Sequence, residues 1–250
     1  MTELAAAEAN YFEAWRVLVR GAQGGLVEET DDVLFTSVAL PAAYFNSAFV
    51  KPPARVADCV DEIVSFYAAR KSPFTIRYRE DDEGAAAACE ARGLQSGGGT
   101  PVMFGDAASM AGQEACDVRA VDEALLSDYR VKMASGFEIP EAALAAIITP
   151  AALHEDSFVA LLGFVGDEPV ASAAVVVTGD CAGVYNIGTP PAQRKKGYGE
   201  ALTRAAIAEG VRRGCTTTTL QASAMGFSIY ERMGYRTLTT WRNHTGEGSQ

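Results

Sequence analysis

Two segments of this chain follow one plan, and that constrains the fold more than any other feature. Ser72 to Leu94 reads SPFTIRYREDDEGAAAACEARGL, and Arg213 to Tyr235 reads RGCTTTTLQASAMGFSIYERMGY. They align without a gap, Ser72 falling on Arg213 and Cys89 on Tyr230. In both, a polar turn leads to a strand of β-branched or aromatic residues, FTIRYR or TTTTL. A second polar turn leads to an Ala-rich or apolar helix. That helix stops at Gly93 or Gly234, the usual left-handed cap. Further upstream, Ala43-Tyr44-Phe45-Asn46 echoes Gly183-Val184-Tyr185-Asn186. The repeat predicts a duplicated α/β unit. A length of 250 residues leaves room for two ordinary domains. The Gly/Ser/Ala-rich run Gln95 to Gly99, continued by Gly105 to Gln113, reads as the linker between them. The expected domains are 1–112 and 113–250.

Hydrophobic periodicity in the second half predicts helices over Val121–Ser135 and Glu141–Ile148. Strands follow over Ser157–Val165, Val170–Thr178 and Gly183–Thr189. A long amphipathic helix covers Gly197–Arg213, then a strand Thr216–Gln221, a helix Gly226–Met233 and a strand Arg236–Trp241. That order implies a mixed α/β fold, each domain a twisted mixed sheet flanked by helices.

Composition narrows the function. The chain carries 32 acidic residues against 21 Lys plus Arg, a formal charge of −11. Such a field repels nucleic acid and anionic membranes, so neither is an expected partner. No apolar window reaches membrane-spanning length, and the acidic start MTELAAAEANYFEAW does not read as a secretion signal. The five cysteines are widely spaced and form no C-x-x-C pair. They read as buried free thiols of a cytoplasmic protein, with no zinc site. The two histidines, His154 and His244, read as ordinary polar positions, and no metal site is expected.

The chemistry concentrates in VYNIGTPPAQRKKGYGEALTRAAIAEGVRRG. A strand ends at Thr189, and Pro190-Pro191 forbid further ladder pairing. Arg194, Lys195 and Lys196 come next, then Gly197-Tyr198-Gly199 and a helix. Free N–H groups and the positive dipole end of that helix suit an anion. Two glycines let the ligand approach the backbone. A diphosphate fits the loop. The Walker pattern is absent, and the dinucleotide fingerprint lacks its third Gly and its acidic residue.

Arg194-Lys195-Lys196-Gly197-Tyr198-Gly199 resembles R-x-x-G-x-G, the acetyl-CoA pyrophosphate loop of the GNAT N-acetyltransferase superfamily. Ile229-Tyr230-Glu231-Arg232-Met233-Gly234-Tyr235 resembles the later L-Y-E-x-x-G-F motif, at the expected distance. The resemblance covers about residues 115 to 245. It implies an acyltransferase that moves an acetyl group from acetyl-CoA to a small-molecule or peptide amine, with no metal. Arg194 to Gly199 would cradle the pyrophosphate. Tyr185 to Thr189 would be the strand that pairs with pantetheine beside a splayed gap and a bulge. Ile187, Gly188 and Thr189 would touch the cofactor, and a backbone N–H near Ile187 or Gly188 would steady the oxyanion. Ser223, where many members have Asn, would meet pantetheine. Tyr230 would be the general acid. Tyr185 and Asn186 would face the acceptor. The strand offers no carboxylate as base; Glu138, Glu155 and His154 are candidates, each read first as a surface residue, and none is assigned.

The same offset carries Arg194 onto Pro53, Gly197 onto Val56 and Gly199 onto Asp58. Cations and glycines are lost, and an acid stands in the loop. The first half therefore reads as a degenerate GNAT-like domain without the CoA loop, in a tandem plan. A competing reading is a non-catalytic acyl-CoA sensor, and a third is an interaction protein that docks through its first half. The acceptor and the oligomeric state stay open, a homodimer included.

Overall fold

The computed structural model describes residues 1–112 and 115–248. Contacts divide the chain into two units, and neither is a continuous stretch. Unit 1 holds Met1–Ala22 and Met103–Leu238, and unit 2 holds Gln23–Val102 and Thr239–Gln250. A split near residue 112 does not describe this arrangement, and two features explain why.

The first is helix α1 (Glu3–Arg20), which packs within unit 1. Thr2 caps it, its hydroxyl accepting the Ala5 N–H at 3.2 Å. Its buried face includes Ala6, Ala7, Tyr11 and Val17. Past its end, Gly21 runs so close to Ala152 that an added Cβ would lie 2.7 Å from the alanine methyl.

The second is the Gly-rich run read above as a linker. It is a strand. In unit 2 come β1 (Leu26–Glu29), β2 (Val33–Ser37), β3 (Ser47–Val50), α2 (Val56–Ala69), β4 (Phe74–Arg79), α3 (Ala85–Glu90) and β5 (Gln95–Asp106). β5 passes from unit 2 into unit 1. Its glycines are there for packing: a Cβ at Gly97 would strike the Asn243 side chain, and one at Gly99 would meet Thr240 Cγ2 at 2.7 Å. Glycine in a strand marks this kind of close approach. Gln113, the end of the expected linker, lies outside the described residues.

Unit 1 continues with α4 (Ala107–Met110), β6 (Asp117–Ala120), α5 (Leu126–Phe137), α6 (Glu141–Ile147), β7 (Phe158–Val165), β8 (Glu168–Thr178) and β9 (Cys181–Gly188). Then come α7 (Tyr198–Arg212), β10 (Thr217–Gln221), α8 (Phe227–Met233) and β11 (Arg236–Gly246). Helix α5 starts later than its periodicity suggests, because Asp122 caps a turn by accepting the Leu125 N–H at 3.0 Å. β11 runs past Trp241 and returns the chain to unit 2, where it pairs antiparallel with β4 (Trp241↔Arg79 to Gly246↔Phe74).

Each unit is built on a mixed sheet. Strands run β1-β2-β3-β4-β11-β5 in unit 2 and β5-β10-β9-β8-β7-β6 in unit 1. The repeat is visible in the parallel pairs. β3 pairs with β4 (Ser47↔Thr75) across α2, and β9 pairs with β10 (Cys181↔Thr217) across α7. β4 matches β10 and α3 matches α8, with Gly93 and Gly234 both left-handed (φ 75° and 107°). The upstream echo does not hold. Ala43–Asn46 is a turn ahead of β3, whereas Gly183–Asn186 lies inside β9. The β9 strand runs longer, so one offset cannot align both ends.

Candidate active site

The site begins where β9 stops pairing. Parallel registration with β10 ends at Thr219↔Gly183. From Val184 to Gly188 the β9 edge turned toward β10 makes no ladder. On the other side β9 stays bonded to β8, with a break in register. Ala174 faces Tyr185 and Ser172 faces Gly188, so three steps on β9 oppose two on β8. That is a β-bulge, and Asn186 takes it up in a left-handed conformation, φ 54°. Ser172 fastens the bulge, its hydroxyl donating to the Asn186 carbonyl at 3.1 Å. The expected bulge is present, and the β9–β10 register ends where a splay was expected.

Two helices cover opposite faces of β9, as the alternation of side chains requires. A Cβ on Gly210 of α7 would strike Ala182, and one on Gly183 would strike Asn10 of α1. Asn10 is fully buried. Its Nδ2 donates to the Val176 carbonyl at 2.9 Å and the Cys181 carbonyl at 3.2 Å. Its Oδ1 accepts from the Tyr185 hydroxyl at 2.7 Å. Tyr185 is thus committed to α1, and burial pushes its pKa well above the usual tyrosine range. Asn186 donates to the Tyr129 hydroxyl of α5 at 3.2 Å. The C-terminal turn of α5 presses onto the end of β9. A Cβ on Gly136 would lie 2.5 Å from Gly188 Cα and 2.8 Å from Thr189 N.

The basic loop reaches α7 through two left-handed residues, Lys195 (φ 62°) and Gly197 (φ 83°). Gly197 is the helix N-cap, and no side chain caps the helix. The first-turn N–H groups therefore point outward without an intrahelical partner. Gly199 sits against the strand end, a Cβ there falling 3.4 Å from Thr189 Oγ1. Lys195 and Lys196 are exposed, with Lys196 Nζ donating to Gln193 at 2.8 Å. The acid of the first turn, Glu200, is turned aside by Arg204 at 2.8 Å. The uncapped N–H groups and the two exposed lysines are chemically suited to a diphosphate. Arg194 has a different task. Its guanidinium donates to the Thr189 carbonyl (3.1 Å), the Gly136 carbonyl (3.2 Å) and Glu138 (2.9 Å). It braces the loop against the end of α5.

Tyr230 lies on α8, 9% exposed. Thr203 of α7 lies beside its hydroxyl, and burial pushes the phenol's pKa up to about 12. Thr203 in turn donates to the Gly199 carbonyl at 2.8 Å. Ser223 stands in the turn between β10 and α8, exposed, accepting the Gly226 N–H at 3.2 Å. A Cβ at Gly226 would lie 2.7 Å from the Tyr230 ring, which explains glycine there.

Of the three candidate bases, Glu155 pairs with Arg20 at 2.9 Å. His154 is exposed, 3.9 Å from Glu123. Glu138 is bound to Arg194. Sequence reasoning missed Asn10, Tyr129, Gly136, Ser172 and Thr203. Only Gly136 carried a signal, as a glycine inside a helical pattern.

Residues 120–235 match the model of the Acetyltransferase (GNAT) family. Over that stretch, a little under half of its length, the chain is similar to the GNAT acetyltransferases. Solved GNAT structures share its architecture. A GCN5-related N-acetyltransferase from Kribbella flavida superposes with a TM-score of 0.70 at 19% identity, over 96% of this chain and 95% of its own. One from Sphaerobacter thermophilus gives 0.60 at 14% identity, over 89% and 82%. A tandem GNAT protein from the clavulanic acid biosynthesis pathway gives 0.57 at 12% identity, over 94% and 87%. At these identities the likeness is one of fold. No curated protein matches the sequence. Among the described residues, no helix is long and apolar enough to cross a membrane, and no group of three His, Cys, Asp or Glu is placed to hold a metal.

Proposed function

We propose that this GNAT domain moves an acetyl group from acetyl-CoA to the nitrogen of a small-molecule or peptide amine by direct attack, with Tyr230 as the general acid. The observation that carries this reading is the continuity of the unpaired β9 edge with the uncapped start of α7. An extended, amide-bearing arm can add to such an edge as a further strand, and its diphosphate then meets the α7 N–H groups, Lys195 and Lys196. Acetyl-CoA supplies the thioester. The chain supplies backbone N–H groups near Ile187 and Gly188 for the developing oxyanion.

Tyr230 is suited to return a proton to the departing sulfur. At about 12 its pKa keeps the phenol protonated at neutral pH. Burial raises thiols as well, Cys181 of the same unit reaching about 12 from the same cause. Tyr185 and Asn186 line the acceptor side through neutral partners, Asn10 and Tyr129. Among the described residues the five cysteines form no disulfide.

The test is thiol release across a panel of amines, with acetyl-CoA affinity measured by calorimetry. Tyr230→Phe should lower kcat about 100-fold, at the low end of general-acid effects, and leave acetyl-CoA affinity unchanged. Unchanged turnover removes Tyr230 as the acid. Tight acetyl-CoA binding without acetylation of any amine favours the sensor.

A further inference from the structure

Five non-glycine residues among those described hold a left-handed backbone, and three of them, Glu138, Asn186 and Lys195, belong to the segments that meet where β9 ends. Asn186 is the bulge residue of β9, Glu138 is the C-cap of α5, and Lys195 follows Arg194. Such conformations persist where the surroundings over-determine them, and they cluster at functional sites.

One side chain links these segments. Arg194 Nε donates to the Thr189 carbonyl at 3.1 Å, and Nη2 to the Gly136 carbonyl at 3.2 Å and to Glu138 Oε1 at 2.9 Å. The two carbonyls belong to backbones in contact, since a Cβ on Gly136 would lie 2.7 Å from the Gly188 carbonyl carbon and 2.8 Å from Thr189 N. The guanidinium therefore ties the Gly188–Thr189 segment to α5. On the β8 side the fully buried Ser172 ties the Asn186 carbonyl at 3.1 Å. Ile187 and Gly188, which carry the N–H groups read above as facing the oxyanion, lie between the two ties.

The ion pair adds little to stability, because the Glu138 side chain is 65% exposed and that of Arg194 26%. What it supplies is geometry. A planar guanidinium fork holds its acceptors in fixed directions, which an ammonium on a flexible stem does not. Nε and Nη2, an edge on which Arg can grip an oxyanion bidentately, are already taken.

We propose that Arg194 and Glu138 are positioning residues of the acetyl transfer. They fix the end of β9 so that its N–H groups meet the thioester oxygen, and they leave the diphosphate to the α7 start and the two lysines. This role rests on the acetyl-CoA reading above.

The probe is acetyl-CoA labelled with carbon-13 at the acetyl carbonyl, whose resonance moves downfield when N–H donors polarise the bond. Bound to the parent chain, it should lie downfield of free acetyl-CoA. Arg194→Ala and Arg194→Lys should both lose most of that displacement. Their acetyl-CoA affinity by calorimetry should fall less than about tenfold, the least that losing a charge-assisted bond to phosphate costs. Glu138→Ala should lose the displacement too, and the double variant no more than Arg194→Ala alone, as for groups that act as a unit. Glu138→Gln, whose amide oxygen still accepts from Nη2, should keep the parental resonance.

A parental resonance in Arg194→Ala or in Glu138→Ala overturns the proposal. So does a loss of affinity beyond about tenfold in Arg194→Ala that Arg194→Lys restores, the pattern of a phosphate cation. A parent that fails to bind acetyl-CoA, or binds it without displacing the resonance, removes the acetyl-CoA reading of this site and this role with it.

Discussion

Helices α2 and α7 hold equivalent places in the two repeats, each crossing between parallel strands, yet their N-termini are finished in opposite ways. At α2 the anion is internal. The Asp82 carboxylate accepts the Val56 N–H at 2.8 Å, and Asp58 stands in the first turn. At α7 the cap is Gly197, no side chain reaches the N–H groups, and two exposed lysines precede them. A helix start bears roughly half a positive charge. Unit 2 neutralises that charge with its own carboxylate, whereas in unit 1 no side chain caps the helix. On the function proposed above, one supersecondary unit serves as scaffold or as binding site according to where the anion comes from.

The strongest way to break this contrast is Gly197→Val. At φ 83° a β-branched residue is strained, so the loop must shift and its N–H groups lose their aim. Acetyl-CoA affinity by calorimetry should fall at least 100-fold, which is about 2.7 kcal/mol. Gly197→Ala should fall less. Equal binding in both variants and the parent would place the cofactor elsewhere.

The contrast was partly legible in the residues alone. The repeat gave β4 and β10, α3 and α8, and their closing glycines. The loop from Arg194 to Gly199 stood out because three cations are rare in an acidic chain. What was hidden depended on distant partners. Gln95 to Gly99 looks like a linker, because composition does not show that Asn243 and Thr240 need the missing Cβ atoms. Arg194 looks like one more phosphate cation, because its bonds to Gly136 and Glu138 cross nearly sixty residues of chain. The bulge at Asn186 leaves no mark beyond a residue type that tolerates left-handed backbone.

Asn10 was the most hidden, a polar residue on a helix that sequence order assigns to the other half. Asn10→Ala would strip partners from two buried carbonyls and the Tyr185 hydroxyl. The expected loss is about 2 kcal/mol, or about 4–8 °C in Tm for a chain of this size, read by calorimetric melting. If α1 served unit 2 instead, the acetyl-CoA-induced rise in Tm would be untouched. We expect that rise to shrink, because Asn10 holds β9.

Asp82→Ala sharpens the comparison from the other side. It removes the internal anion of α2 and should cost about 1 kcal/mol, the usual value of an N-terminal cap. Acetyl-CoA affinity should stay at the parental value, since the α7 start keeps its own groups. A new, second acetyl-CoA site in this variant would show that Asp82 alone silences the first repeat. We expect none, because Arg55 and Pro53 supply neither the glycines nor the paired lysines of the α7 loop.

The smallest effect concerns pH. Burial lowers the His244 pKa in the folded protein, so the unfolded chain binds this proton more readily. The corresponding stability is complete above the unfolded value, about 6.5, and is lost as pH falls through the folded value. Denaturant midpoints measured from pH 7.5 downward should therefore decline more steeply in the parent than in His244→Gln, which has no titrating ring. The two curves should run parallel above neutrality. Parallel curves throughout would mean that the ring finds equal solvation folded and unfolded.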